Sequence, residues 1–70
     1  MAASEKFKNR LLELIKNSNL HKVQYASAVG VNNTTLFHAT LYGIIPNVTS
    51  LIKIANHENI SLDYLLGYTD

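Results

Sequence analysis

Apolar residues of the first segment fall at Phe7, Leu11, Leu14 and Ile15, positions i, i+4, i+7 and i+8 on one face of a helix. Lys6, Arg10, Glu13 and Lys16 lie mostly on the other faces. Ser4 is placed to cap a helix over residues 5–17, which Asn17, Ser18 and Asn19 end. Two shorter periodic segments follow, over residues 22–29 and 33–41. Tyr42 and Gly43 break the third helix. A residue before proline avoids the helical region, so residues 44–46 are expected to form a loop. Asn47 then caps a fourth helix over residues 48–58, with Val48, Leu51, Ile52 and Ala55 inward. Asn59 takes a left-handed position, Ile60 packs, Ser61 caps, and a fifth helix covers residues 62–66 before Gly67 stops it. Every strong breaker falls between helices and no alternating strand pattern survives beside these caps. The expectation is an all-α chain of five helices, one domain over residues 1–70.

The second and third segments flank Gly30, with Ala26 four residues before it and Leu36 six after. This spacing suits two helices crossing tightly through a short turn. A small side chain at Ala26 leaves room for the second helix to pass. Gly30 adopts the left-handed conformation that ends the first helix, where a Cβ is costly. Val31 then fills the corner, Asn32 caps the next helix, and Leu36 returns to the core.

Composition narrows the function classes. The chain has 70 residues, no cysteine, 47% hydrophobic and 16% charged residues, so a packed core without disulfides or thiolate metal sites is expected. The absence of cysteine suits a reducing cytoplasm. Apolar runs are far too short for a membrane span, and the N-terminus lacks the apolar middle of a secretory signal. No two of His21, His38 and His57 have the spacing that sets two metal ligands on one helix face. The acids Glu5, Glu13, Glu58, Asp63 and Asp70 form no catalytic pattern with serine or histidine, and the three glycines form no phosphate-cradling loop. No cofactor, metal, small-molecule substrate or enzymatic activity is expected. The net charge of +1 is low for a protein that holds nucleic acid by Coulomb attraction, but the position of charges matters more than their sum.

From about residue 20 to 66 the chain resembles the lambda-repressor and Cro type of helix-turn-helix domain. The resemblance rests on Ala26, Gly30-Val31, Leu36, Pro46, the run Leu51-Ile52-Lys53-Ile54-Ala55, and the ending Ile60-Ser61-Leu62-Asp63-Tyr64-Leu65-Leu66-Gly67. It implies a compact five-helix DNA-binding domain whose third helix enters the major groove, as in a phage or bacterial transcriptional regulator. The chain departs from the family pattern at four places. His21-Lys22 stands where Thr or Ser followed by Gln is usual. Glu58 occupies a usually apolar position, Ala39 replaces a larger side chain, and the third helix has no arginine or lysine.

By family position the base-contacting residues are Asn33, Thr34, Phe37 and His38. Asparagine pairs bidentately with adenine, and Thr or Phe touches a thymine methyl. The competing readings are helix capping for Asn33, folding of Phe37 onto Leu41 or Tyr42, and a solvated surface His38. Phosphate contacts are assigned to Lys22, Asn32, Asn47 and Lys53, with the N-termini of the second and fourth helices contributing backbone N–H groups. For Lys8 and Arg10 a solvated helix face is the expectation. Tyr64 and Tyr68, with Leu65 and Leu66, either close the core or form a self-association surface. A homodimer on a palindromic double-stranded operator follows from the second option, with Tyr64 and Tyr68 at the contact. The rival function is a protein-interaction module that keeps the fold without binding DNA. The ending Gly67-Tyr68-Thr69-Asp70 would also suit the N-terminal part of a longer regulator.

Overall fold

The computed structural model describes the backbone of residues 2–69 and the side chains of residues 5–69. It holds five helices: α1 (Ala2–Ser18), α2 (Lys22–Val29), α3 (Asn33–Tyr42), α4 (Val48–Glu58) and α5 (Leu62–Leu66). No strand occurs among the described residues. Four of the five spans agree with the sequence pattern to within a residue. The first does not: α1 starts at Ala2, so Ser4 lies inside the helix and not ahead of it. Ala2 and Ala3 are strong helix formers and extend the helix outward past the expected cap.

The core is built around α1, which packs against α3 and α5, while α2 packs against α3. Phe7, Leu11 and Ile15 of α1 meet Tyr25, Ala26, Leu36, Ala39, Leu51, Ile54, Ala55 and Leu65, all buried. Leu14 and Val31 pack partly buried against them. Ala39 is buried, and no pocket opens among the described residues. On α4 the expected inward set needs correction. Leu51 and Ala55 are buried, but Val48 is 65% exposed and Ile52 42% exposed, and Ile54 takes the inward place. At about 100° per residue, Leu51, Ile54 and Ala55 share one stripe and Ile52 lies a quarter-turn off it. Val48 belongs to the first turn, ahead of every buried residue of the helix.

The helix ends use the residues that local chemistry favours. Asn32, Asn47 and Ser61 accept hydrogen bonds from the backbone N–H groups of Thr34, Ser50 and Tyr64. Gly30 closes α2 at φ +92°, and its N–H donates to the Ala26 carbonyl. Asn59 closes α4 at φ +56°, one of two non-glycine residues at positive φ among the described residues; the other is Asn19.

Two contacts tie elements distant in sequence together. The Tyr25 hydroxyl donates to the Glu58 carboxylate at 2.5 Å, joining α2 to the end of α4. Burial first, and then the carboxylate that takes its hydrogen bond, push the Tyr25 phenol well above the usual phenol range. Glu58 thus supplies the acceptor that a buried phenol needs. The second contact overturns an expectation. Arg10 is not merely solvated: its guanidinium lies 4.1 Å over the Tyr64 ring. It also donates to the carbonyls of Tyr64 and of Thr69, the latter at 2.6 Å.

Candidate nucleic-acid interface

The α2 start is fixed by Gln24, whose Oε1 accepts from the His21 N–H at 3.0 Å. This leaves Lys22 at the first helical position, where unpaired backbone N–H groups and the helix dipole favour an anion. Lys22 is half-buried, and its ammonium lies 5.6 Å over the Phe37 ring. The ring is 37% exposed. A cation held over an aromatic face is worth about 0.5–1 kcal/mol at such a site. Phe37 therefore pairs with α2 across the turn.

The outer face of α3 follows from its capping. Asn32 spends its side-chain carbonyl on the Thr34 N–H at 2.8 Å, so its amide NH₂ remains outside. Asn33 and Thr34 are exposed, and neither side chain has a hydrogen-bond partner among the described residues. With Leu36, Ala39 and Thr40 buried, the helix presents two exposed rows at i, i+4 spacing. Asn33, Phe37 and Leu41 form one row; Thr34, His38 and Tyr42 form the other, with the His38 and Tyr42 rings 6.0 Å apart. The face is polar at its N-terminal end and apolar at its C-terminal end.

The remaining sequence-assigned residues fall into two groups. Asn47 caps α4 through its Oδ1, again leaving its NH₂ outward, and Lys22 stands at the α2 terminus. Lys53 sits differently: its ammonium donates to the Gly30 carbonyl at 3.1 Å and so finishes the C-terminal end of α2. Tyr64 is half-buried under Arg10, and Leu65 is fully buried, so core closure accounts for both; Tyr68 is 64% exposed. His21, His38 and His57 form no group with acids that would hold a metal among the described residues. The His57 ring instead meets the Tyr25 ring edge-on at 5.9 Å.

Charge is distributed unevenly. Residues 14–57 carry Lys16, Lys22 and Lys53 and no acid, so the whole of α2 and α3 lies in an acid-free stretch. The acids belong to α1, the end of α4, α5 and the C-terminus. The net charge of +1 conceals a basic stretch opposed by acids elsewhere. Within it, residues 23–52 contain no Asp, Glu, Lys or Arg at all.

Sequence reasoning did not find one surface feature. Leu41, Tyr42, Ile44 and Val48 are each more than half exposed around the loop at residues 43–47. The signal was present as Leu41-Tyr42 and Ile44-Ile45 ahead of Pro46, while Val48 is expected to face inward. No family model, curated protein or solved structure matches this chain.

Proposed function

We propose that this chain is a sequence-specific DNA-binding regulator of the lambda-repressor type, in which α2 and α3 form a helix-turn-helix and α3 enters the major groove. The observation that carries the reading is the N-terminal half of α3. Asn33 and Thr34 stand exposed with open hydrogen-bonding groups, about one turn before the Phe37 ring that Lys22 overlies, in a stretch without acids. A recognition helix reads base edges with its N-terminal residues, and this is where the polar groups lie. Lys22 and the outward amides of Asn32 and Asn47 are the phosphate contacts in this reading. Lys53 supports the turn through Gly30 and has donors left for a phosphate. Two copies on a twofold site would set their recognition helices about 34 Å apart. Tyr68 is the exposed late aromatic suited to the dimer contact, with the half-buried Tyr64 four residues before it.

Selection of bound duplexes from a random pool at low salt tests this. The reading expects an enriched motif with dyad symmetry, lost in Asn33→Ala. A pool that shows no enrichment defeats it.

A second reading has its own observation. The exposed Leu41, Tyr42, Ile44 and Val48 form an apolar surface of the kind that seats a protein partner. Under this reading the helix pair is retained as a scaffold and the chain is an interaction module. A polar group introduced into this patch, as in Val48→Gln, would then remove function and leave any DNA affinity untouched.

A further inference from the structure

The donor set on the outer face of α3 restricts which base pairs it is able to read. The commonest specific contact to guanine is the bidentate fork of an arginine, or a lysine, on O6 and N7. Residues 23–52 contain neither, and the two flanking lysines are held at α2 and at the Gly30 carbonyl. The groups that remain are one open carboxamide at Asn33, one hydroxyl each at Thr34 and Tyr42, one imidazole at His38, and the apolar Phe37 and Leu41; none of the polar ones is a cationic fork. A carboxamide is matched to adenine, whose N6 donates and N7 accepts. Apolar side chains are matched to the one apolar group in the major groove, the 5-methyl of thymine. The imidazole of His38 offers a single donor and no fork.

We infer that this face is selective for A·T base pairs, with adenine paired to Asn33 and thymine methyls packed against Phe37 and, further along, Leu41. The inference rests on the DNA-binding reading above and goes beyond it by naming the target. Spacing adds a second condition. Asn33 and Phe37 are four residues apart on one row, about 6 Å along the helix. Base pairs are stacked about 3.4 Å apart. The adenine and the thymine methyl therefore lie within about two base steps of each other. Lys22 over the Phe37 ring favours the position in which the ring lies toward α2.

The test uses the intact chain and the duplex recovered by selection, in a fluorescence-anisotropy titration at fixed low salt. Thymines in the motif are replaced singly by 2′-deoxyuridine, which removes the methyl and leaves base pairing unchanged. Loss of one packed methyl is worth about fourfold in affinity. The expected result is an A·T-rich motif in which one or two uracil positions weaken binding by about that factor. At the position Phe37 meets, Phe37→Ala binds the thymine and uracil duplexes equally, while Phe37→Leu keeps part of the difference. Asn33→Ala loses preference for adenine within two base steps. A motif centred on G·C pairs, or uracil tolerated at every position, overturns the inference and leaves DNA binding standing. A uracil effect that persists in Phe37→Ala overturns the role given to that ring. Failure to bind any duplex overturns the inference and the DNA-binding reading together.

Discussion

Replacement of Gly67 by alanine is expected to destabilise the domain more than the same change at Gly30, although both sit in left-handed turns. Gly30 has φ +92° and Gly67 φ +88°, so each substitution incurs the penalty of an L-residue there, about 1–2 kcal/mol. The surroundings differ. A Cβ at Gly30 meets only the Lys53 Cδ, at 4.0 Å, an ordinary contact with a flexible chain. A Cβ at Gly67 overlaps the Lys6 Cβ and lies 3.1 Å from its Cδ. The Lys6 Cβ is rooted in the α1 backbone and cannot swing aside, so α5 must shift against α1. Overpacking of this kind adds about 1–3 kcal/mol. The sum at Gly67 is about 2–5 kcal/mol, against about 1–2 kcal/mol at Gly30. A domain of this length has a total stability of about 3.5–10 kcal/mol. Each kcal/mol moves the melting temperature of so small a domain by about 4–8 °C. Thermal melts followed by circular dichroism at equal concentration measure both variants. Gly30→Asn is the control, because asparagine tolerates the left-handed region and recovers much of the loss. If Gly67→Ala melts no lower than Gly30→Ala, the packing of α5 on Lys6 is wrong. If Gly30→Ala and Gly30→Asn both melt with the wild type, the tight turn between α2 and α3 is wrong.

Three further outcomes follow from the contacts. The Tyr25 phenol is raised above its unfolded value of about 10, so the folded chain holds a proton that the unfolded chain releases. Stability is then complete below pH 10 and falls above it, by about 1.4 kcal/mol per pH unit. Urea melts at rising pH should show that slope, and Tyr25→Phe should remove it. Arg10→Ala releases the segment after α5 and costs about 1–2 kcal/mol through lost hydrogen bonds and ring contact. Amide exchange should quicken first at residues 64–69, and an unchanged exchange pattern there would contradict the contact. For DNA binding, each neutralised phosphate contributes about −0.9 to the slope of log affinity on log salt. With only Lys22 and Lys53 as cationic contacts on this face, the wild-type slope is shallow, about −2 per subunit. Lys22→Ala should flatten it by about one unit; an unaltered slope would remove Lys22 from the phosphate contacts.

The elements were legible because breakers and caps fall at nearly every boundary. Gly30, Gly43, Asn59 and Gly67 end helices in left-handed geometry, and Asn32, Asn47 and Ser61 start them, as local chemistry requires. The errors have physical causes. Ser4 was outweighed by the helix propensity of Ala2 and Ala3. Val48 and Ile52 carry the right hydrophobicity for a core but the wrong angle or the wrong turn, and only the packing of α2 and α5 on α4 decides which stripe is buried. Arg10 reaches residues more than fifty positions away, which no local pattern encodes. Glu58 was visible as an oddity, yet its partner, the Tyr25 hydroxyl, lies in another helix. Among the candidate site residues, exposure of Asn33, Thr34, Phe37 and His38 follows from the burial of Leu36, which the helical period predicts. The engagement of Lys53 with the Gly30 carbonyl does not follow from any sequence pattern.

The central claim is that the polar N-terminal half of α3, together with Lys22 over the Phe37 ring, is the surface that meets duplex DNA. A backbone-amide NMR titration with the selected duplex tests it residue by residue. The account predicts the largest shifts at Lys22 and over residues 32–38, with residues 5–15 of α1 nearly unmoved. Shifts confined to residues 41–52, or a spectrum unchanged at saturating duplex, would contradict it.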